Sequence, residues 1–475
     1  MKYNSAMKNE MKVPVVSLFS GAGGLDSGFF MNRSYDVAFA LDKDRSAAET
    51  YSINHSFEIT QSLNGSNLAR RTFVLGDVKN INMKHISSFS PEVVIGGPPC
   101  QDFSMIRGPS SERRGIEVER GRLYAYFVKA LIHLNPYFFV FENVPGLAHQ
   151  NGGRSYRIIK DDFSNLTSKV EKIEAITGNG FSGSPTGYDL LLSGFVDSSV
   201  FGVPQKRQRL IILGSRKDLV QELKVDLDQL KAYVRVAMFP RNSLFVKFPV
   251  TAMEAFEGKT IPELQDQYMH IMDEWKSKLP MASRRKWTRS RQFSSGNIVS
   301  DYLCSNSINS WTEKELEEAW REHKRVLAEL GYYGRPLNDN SNFADGSNEV
   351  PVESDIVKKR MKRIPPGENY SFVDNTPLQV KGNDISLVYR RLHPLKPAYT
   401  VLAGGGGGTH GYHYLFERQG LTNRERARLQ SFPDTFKFSG TKTNIRRQIG
   451  EAVPPLVSRK ISEVIGHLHE MLVDR

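Results

Sequence analysis

The sequence predicts an α/β protein: a doubly wound, mostly parallel sheet with a second, smaller domain. Three observations carry this. Apolar runs of strand length alternate with stretches of helical period through the first two hundred residues. The runs close on glycines or on an acidic residue, as strands do where they lead into ligand-facing loops. After residue 215 the alternation stops, and order returns only near residue 389.

In chain order, VPVVSLF (13–19) is a strand that enters the glycine-rich turn GAGG (21–24), and LDSGFF opens a helix behind it. DVAFALD (36–42) is the next strand, followed by the helical DRSAAETYSI. FVLGDV (73–78), EVVIGG (92–97) and PYFFVFENV (136–144) follow, the last preceded by the helical RLYAYFVKALIHL (122–134). RLIILGS (209–215) ends the regular part. The 175 residues from 215 to 389 hold one helical piece, WTEKELEEAWREHKRVLAEL, and the polar loop NDNSNFADGSNE (338–349). They also hold two basic clusters free of acids: Arg284, Arg285, Lys286, Arg289 and Arg291 around Trp287, and Lys358, Lys359, Arg360, Lys362 and Arg363. Beyond them come YRRLHP (389–394), the five-glycine tract AGGGGG (403–408) and an amphipathic C-terminal helix. The expected division is one discontinuous domain, 1–220 with 445–475, and a second domain at 221–444.

Composition narrows the classes. At 475 residues and 39% hydrophobic content, two domains with real cores are affordable. Lys and Arg exceed Asp and Glu by 64 to 52, and a net charge of +12 fits a polyanionic partner, most often nucleic acid. Only Cys100 and Cys304 occur, which excludes a disulfide scaffold and a cysteine-rich zinc module. The start lacks a signal-peptide stretch, and no run nears the ~18 apolar residues of a membrane span. A soluble, cytoplasmic monomer with no metal and no membrane association is expected.

The strand ends carry the chemistry. In FSGAGG (19–24), glycines let backbone N–H groups approach a ligand, with a helix N-terminus behind. Asp42, 18 residues past Gly24, suits ribose hydroxyls, and Asp77 can meet an adenine amino group. Together they favour an adenosine-containing cofactor. GGPPCQDFS (96–104) sets Cys100 on an exposed, rigid loop, and Glu142 ends another strand. A thiol and a carboxyl converging on one pocket permit nucleophilic attack with proton donation. Arg207 and Arg209, on alternate positions entering RLIIL, are read as pointing to one face.

FSGAGGLDSGF, GGPPCQDFS, ENVPGL, GVPQKRQR, RERARLQSFPD and QIGEAVPP, in this order, closely resemble the C5-cytosine DNA methyltransferase family over about 13–215 and 389–460. The resemblance implies an S-adenosylmethionine-dependent methyltransferase fold, with the stretch between the two blocks as a target-recognition domain on duplex DNA. It implies that Phe19, Gly21, Gly23, Gly24 and Leu25 line S-adenosyl-L-methionine, with Asp42 on its ribose. Asp77 and Val78 would flank the adenine, and Pro99 and Leu123 would complete the pocket. Lys43 stands where the family more often has an apolar residue, and Glu451 where it usually has Asn; Glu451, Ala452 and Val453 form the final cofactor block. Cys100 would be the nucleophile and Glu142 the acid, with Arg207 and Arg209 holding the base and Glu142. Gln101 and Ser104 would approach DNA on the loop after Cys100. Arg284, Arg285, Arg289, Lys358, Lys359 and Arg360 are expected at phosphates.

Two alternatives stand beside this reading: the same chemistry on a tRNA cytosine, or a DNA-binding relative that has lost catalysis. The long recognition stretch with its basic clusters opposes the first, and the intact Cys100, Glu142, Arg207 and Arg209 oppose the second. A nicotinamide-dependent dehydrogenase rests on the glycine loop alone and leaves the PCQ and ENV blocks unexplained.

Overall fold

Among the described residues eight strands form one sheet: β1 (Val13–Leu18), β2 (Tyr35–Asp42), β3 (Glu58–Thr60), β4 (Thr72–Leu75), β5 (Val93–Gly96), β6 (Phe138–Asn143), β7 (Tyr188–Asp197) and β8 (Gln208–Arg216). The computed structural model describes residues 12–61, 69–99, 123–178, 181, 185–288, 296–380, 387–404, 408–409, 411–418 and 420–473. The strand order is β3-β4-β2-β1-β5-β6-β8-β7. Pairs from β3 to β6 are parallel, and β6 pairs antiparallel with β8. Val93, Val94 and Ile95 of β5, and Phe138, Phe139, Val140 and Phe141 of β6, are fully buried. Unbroken burial of consecutive residues marks strands covered on both faces, as a parallel sheet with crossover helices requires. The helices Gly24–Met31, Arg45–His55 and Leu123–Leu134 lie in such connections. The fold is the expected α/β sheet.

Strand order reverses at β1, which lies between β2 and β5. In open α/β sheets ligands bind outside the carboxyl ends of the strands at such a reversal. Register sharpens the point. Leu41 pairs with Leu18, Leu18 with Gly96, and Gly96 with Phe141, so four strands reach one row together. The next residues, Asp42, Phe19, Gly97 and Glu142, therefore begin one rim.

The chain divides into two compact units. One comprises Met1–Val196, Arg209–Met238 and Ser458–Arg475; the other comprises Asp197–Gln208 and Phe239–Val457. Residues 220 and 445, the boundaries expected from sequence, fall inside the helices Lys217–Glu222 and Lys442–Glu451. The second unit is mainly helical and has its own core, with Phe256, Tyr268, Trp275 and Tyr302 fully buried. Capping boxes start its helices Ala252–Glu257, Glu313–Glu329 and Asn423–Leu429, where Thr251, Thr312 and Thr422 meet Glu254, Glu315 and Glu425. Arg391 of YRRLHP is buried there and donates to the carbonyls of Met361, Ile364, His413, Leu415 and Arg418. Burial presses its guanidinium down to about 9.

Candidate active site

The turn after β1 is built from left-handed backbone: φ is 55° at Phe19, 53° at Gly21 and 86° at Gly23. Glycine is required at Gly23 twice over, because a Cβ would also sit 2.9 Å from the Tyr51 ring. At Gly21 a Cβ would meet nothing within 4 Å, so the turn faces open space there. The Gly21 N–H donates to Asp42 Oδ2 at 2.9 Å, and the Asp44 N–H donates to Oδ1 at 2.9 Å. Burial raises the Asp42 carboxyl above its ordinary value.

Under the turn, Asp26 is fully buried and accepts from the Tyr51 hydroxyl at 2.8 Å. Desolvation pushes it up to about 6. Phe19 packs against the apolar cluster that contains Val78 and Leu123. An open glycine turn, a carboxylate beside it and an apolar wall in one unit fit a nucleoside ligand. Lys43 is exposed and adds nothing to that wall. Asp77 is half-buried and takes the Lys79 N–H at 3.0 Å, while Pro99 is exposed.

Glu142 ends β6, almost buried, and Arg209 Nε lies 3.1 Å from its Oε1. Burial lowers the Arg209 guanidinium, and the Glu142 carboxylate opposes that shift. The register places Glu142 opposite Ile211 of β8, which brings Arg209 within reach. A Cβ on Gly97 would stand 2.7 Å from Glu142 Oε2, so the carboxylate occupies the space that Gly97 leaves open. Asn143 Nδ2 donates to the Pro98 carbonyl at 3.2 Å and so ties the end of β6 to the GGPP turn.

Cys100, Gln101, Ser104, Arg289 and Arg291, with 405–407 of the glycine tract, lie outside the described residues. Arg207 precedes β8, is buried, and donates to the carbonyls of Val401, Gly450 and Ala452. Glu451 is exposed at a helix end, Ala452 is half-buried and Val453 is buried.

The basic clusters are uneven. Arg285, Lys358 and Lys359 are exposed. Arg360 is half-buried and donates to the Leu378 and Gln379 carbonyls and the Tyr389 hydroxyl, so its fork is committed internally. Arg284 is half-buried and reaches the Leu279 carbonyl at 3.4 Å. Trp287 is core, donating to the Pro366 carbonyl at 3.2 Å. No group of three His, Cys, Asp or Glu side chains suited to a metal occurs among the described residues. No helix among them is long and apolar enough to cross a membrane. Sequence reading passed over Asp26, Tyr51, Gly97 and Asn143. An acid set among Leu25, Phe29 and Phe30 was the available signal for the first.

Known proteins resemble the whole chain. The family model for C-5 cytosine-specific DNA methylase matches residues 13–467. DNA (cytosine-5-)-methyltransferase M.ApeKI of Aeropyrum pernix is 46% identical over 95% of this chain and 98% of its own. Type II methyltransferase M.BbvI of Brevibacillus brevis is 29% identical over 96% of this chain and 91% of its own. A solved structure of a prophage-encoded E. coli protein covers 98% of this chain and 100% of its own, with a TM-score of 0.55 at 23% identity, a likeness of fold. The family match and the row of strand-end residues agree, and the chain belongs to the C-5 cytosine-specific DNA methylases.

Proposed function

We propose that this DNA (cytosine-5-)-methyltransferase transfers a methyl group from S-adenosyl-L-methionine to C5 of a flipped-out cytosine in a specific duplex sequence, through a covalent bond between Cys100 and C6. The observation that carries the reading is the Glu142 carboxyl, held against Gly97 and by Arg209 at the end of β6. Gly97 lies three residues before Cys100 in the sequence. The turn at Gly21, Asp42, and the wall of Phe19, Val78 and Leu123 would hold the cofactor, which supplies an electrophilic methyl on a sulfonium sulfur.

Cytosine C5 is a weak nucleophile at neutral pH. Cys100 attacks C6 as a thiolate while Glu142 gives a proton to N3, and the electron pair of the C5–C6 bond becomes available at C5. After C5 has taken the methyl, which leaves the donor sulfur as a neutral thioether, loss of the C5 proton to water and return of the N3 proton to Glu142 restore the C5–C6 double bond and expel the Cys100 thiolate. Free cysteine is only a few per cent thiolate near neutrality, so Arg209 beside the pocket favours attack. Arg209 also fixes the Glu142 oxygen that faces it. The base has to leave the duplex to reach these groups, at a cost of about a few kcal/mol. Phosphate contacts by basic residues offset that cost and make binding salt-dependent. In this reading 1–220 and 445–475 perform catalysis, 221–444 read the target, and one chain acts alone. Relatives named as type II methyltransferases support a place beside restriction–modification enzymes.

The test is duplex DNA carrying 5-fluorocytosine at the target. Fluorine cannot leave as a cation, so elimination stops with Cys100 bonded to the base. A denaturant-resistant adduct that requires S-adenosylmethionine is expected. Cys100→Ser should abolish it, and Cys304→Ser should leave it intact. An adduct mapped to Cys304, or one that survives Cys100→Ser, contradicts the mechanism.

A further inference from the structure

We propose that Tyr51 and Asp26 are positioning residues for the cofactor, a buried clamp of ring, hydroxyl and carboxyl that sets the exit of the glycine turn after β1. This rests on the methyltransferase reading above. The turn takes left-handed backbone at Phe19, Gly21 and Gly23, and at Phe19 a residue with a side chain has to accept it. Backbone of that kind persists only where its surroundings impose it. β2 imposes it at the entry. The Ser20 N–H donates to the Leu41 carbonyl at 3.0 Å, the Ser20 hydroxyl accepts the Leu41 N–H at 3.1 Å, and Gly21 donates to Asp42. At the exit, Gly23 begins the helix Gly24–Met31 and offers no side chain to cap its first turn. Tyr51 meets the chain there twice. Its ring carbon Cδ2 lies 2.9 Å from where a Gly23 Cβ would stand, and its hydroxyl donates to Asp26 Oδ1 at 2.8 Å. Asp26 stands in the first turn of that helix.

Tyr51 is itself held in place. It is fully buried, with its ring edge-on to Phe57 at 5.0 Å and Phe30 at 6.2 Å, and tilted against Phe73 at 5.1 Å. Burial raises its hydroxyl well above the usual value, and the Asp26 carboxyl adds to the shift. The hydroxyl therefore keeps its proton and stays the donor. The helix that carries Tyr51, Arg45–His55, starts from Asp44, whose side chain takes the Ala47 N–H at 2.9 Å. Asp44 donates its own N–H to Asp42 Oδ1 at 2.9 Å. One run, 42–51, thus touches the turn at both ends, with Asp42 at Gly21 and Tyr51 at Gly23. At Gly21 the same turn faces open space, beside the strand-order reversal where α/β sheets take their ligands. A turn that spends time in other shapes binds more weakly in proportion.

The full-length chain is titrated with S-adenosylhomocysteine by calorimetry, and steady-state rates are measured on duplex DNA. Tyr51→Phe keeps the ring and removes the hydroxyl. It should weaken S-adenosylhomocysteine about tenfold, the order lost with one hydrogen bond to a charged group. KM for S-adenosylmethionine should rise to match, with kcat at saturating cofactor within about threefold of the parent. The binding stoichiometry should stay at the parental value, which a chain weakened throughout its fold would not keep. Asp26→Ala should lose as much as Tyr51→Phe. Asp26→Asn, whose amide oxygen still accepts from the hydroxyl, should return to within about threefold of the parent. Should Tyr51→Phe not fold, Tyr51→Phe combined with Asp26→Asn removes the bond and the buried charge together, and the same loss is expected of it. Parental affinity in the Phe variant that decides overturns the inference. So do equal losses in the two Asp26 variants, or a fall in kcat with KM unchanged. A parent chain that binds no S-adenosylhomocysteine sinks the methyltransferase reading itself, a result distinct from these.

Discussion

Asp26 is a carboxylic acid placed where water cannot reach it, in the helix behind the glycine turn after β1. Its folded value near 6 lies above the ordinary 3.8, so between those pH values the folded chain holds a proton that the unfolded chain has released. The folded state is then favoured at the acid side of the window and loses that advantage as pH rises through 6, by roughly 3 kcal/mol for one group. Asp26→Asn removes the titration. Urea midpoints at pH 4 to 7 should show the parent losing ground to the variant across the window; parallel curves would contradict this. Gly97 offers a second test. An alanine Cβ there would stand 2.7 Å from Glu142 Oε2, and Arg209 on the other side leaves that carboxylate little room to retreat. Gly97→Ala should lower kcat by roughly 100-fold with cofactor affinity within about twofold, because a misplacement near 1 Å costs on that order. Unchanged kcat would remove Gly97 from the site. Asp42 and Glu142 were legible in sequence because each ends an apolar run. The internal partners of Gly97, Asn143 and Arg207 were not, since they are brought by register or, for Arg207, by segments 194 and 243 residues away.

At the scale of elements, the parallel strands were legible for a physical reason: burial on both faces writes them as continuous apolar runs. β7 was missed because YDLLLSGFVD has no regular alternation, its buried positions being 188, 191, 192 and 196. β3 has three residues and little burial to announce it. The helix Gln265–Lys278 carries Tyr268, Ile271, Met272 and Trp275 at helical spacing, a pattern diluted by the polar residues between them. Arg207 lies before β8 begins and Arg209 within it, so a period of two along the strand does not by itself relate them.

The whole molecule carries +12, and phosphate contacts turn such a charge into salt-dependent affinity. Arg285 and Lys359 are among the exposed members of the two clusters, whereas Arg360 donates to the Leu378 and Gln379 carbonyls. Arg285→Ala and Lys359→Ala should each weaken duplex binding and reduce the slope of log affinity against log salt by about one. Filter binding at several salt concentrations reads both quantities, and unchanged slopes would place these residues outside the interface. That Asp197–Gln208 belongs with the second unit could not be read along the chain, because it is a property of contacts and not of composition.

The row that joins Leu41, Leu18, Gly96 and Phe141 makes the sheet a ruler. Asp42 and Glu142 stand three strand intervals apart, about 14 Å at the usual spacing between neighbours. Hydrogen bonds between backbones hold that length, and no side chain can be substituted to change it. A longer or shorter methyl donor could therefore be accommodated only by altering the loops. On the proposed function, the distance between the carboxylate assigned to one reactant and the carboxyl assigned to the other was fixed when the strand order was fixed.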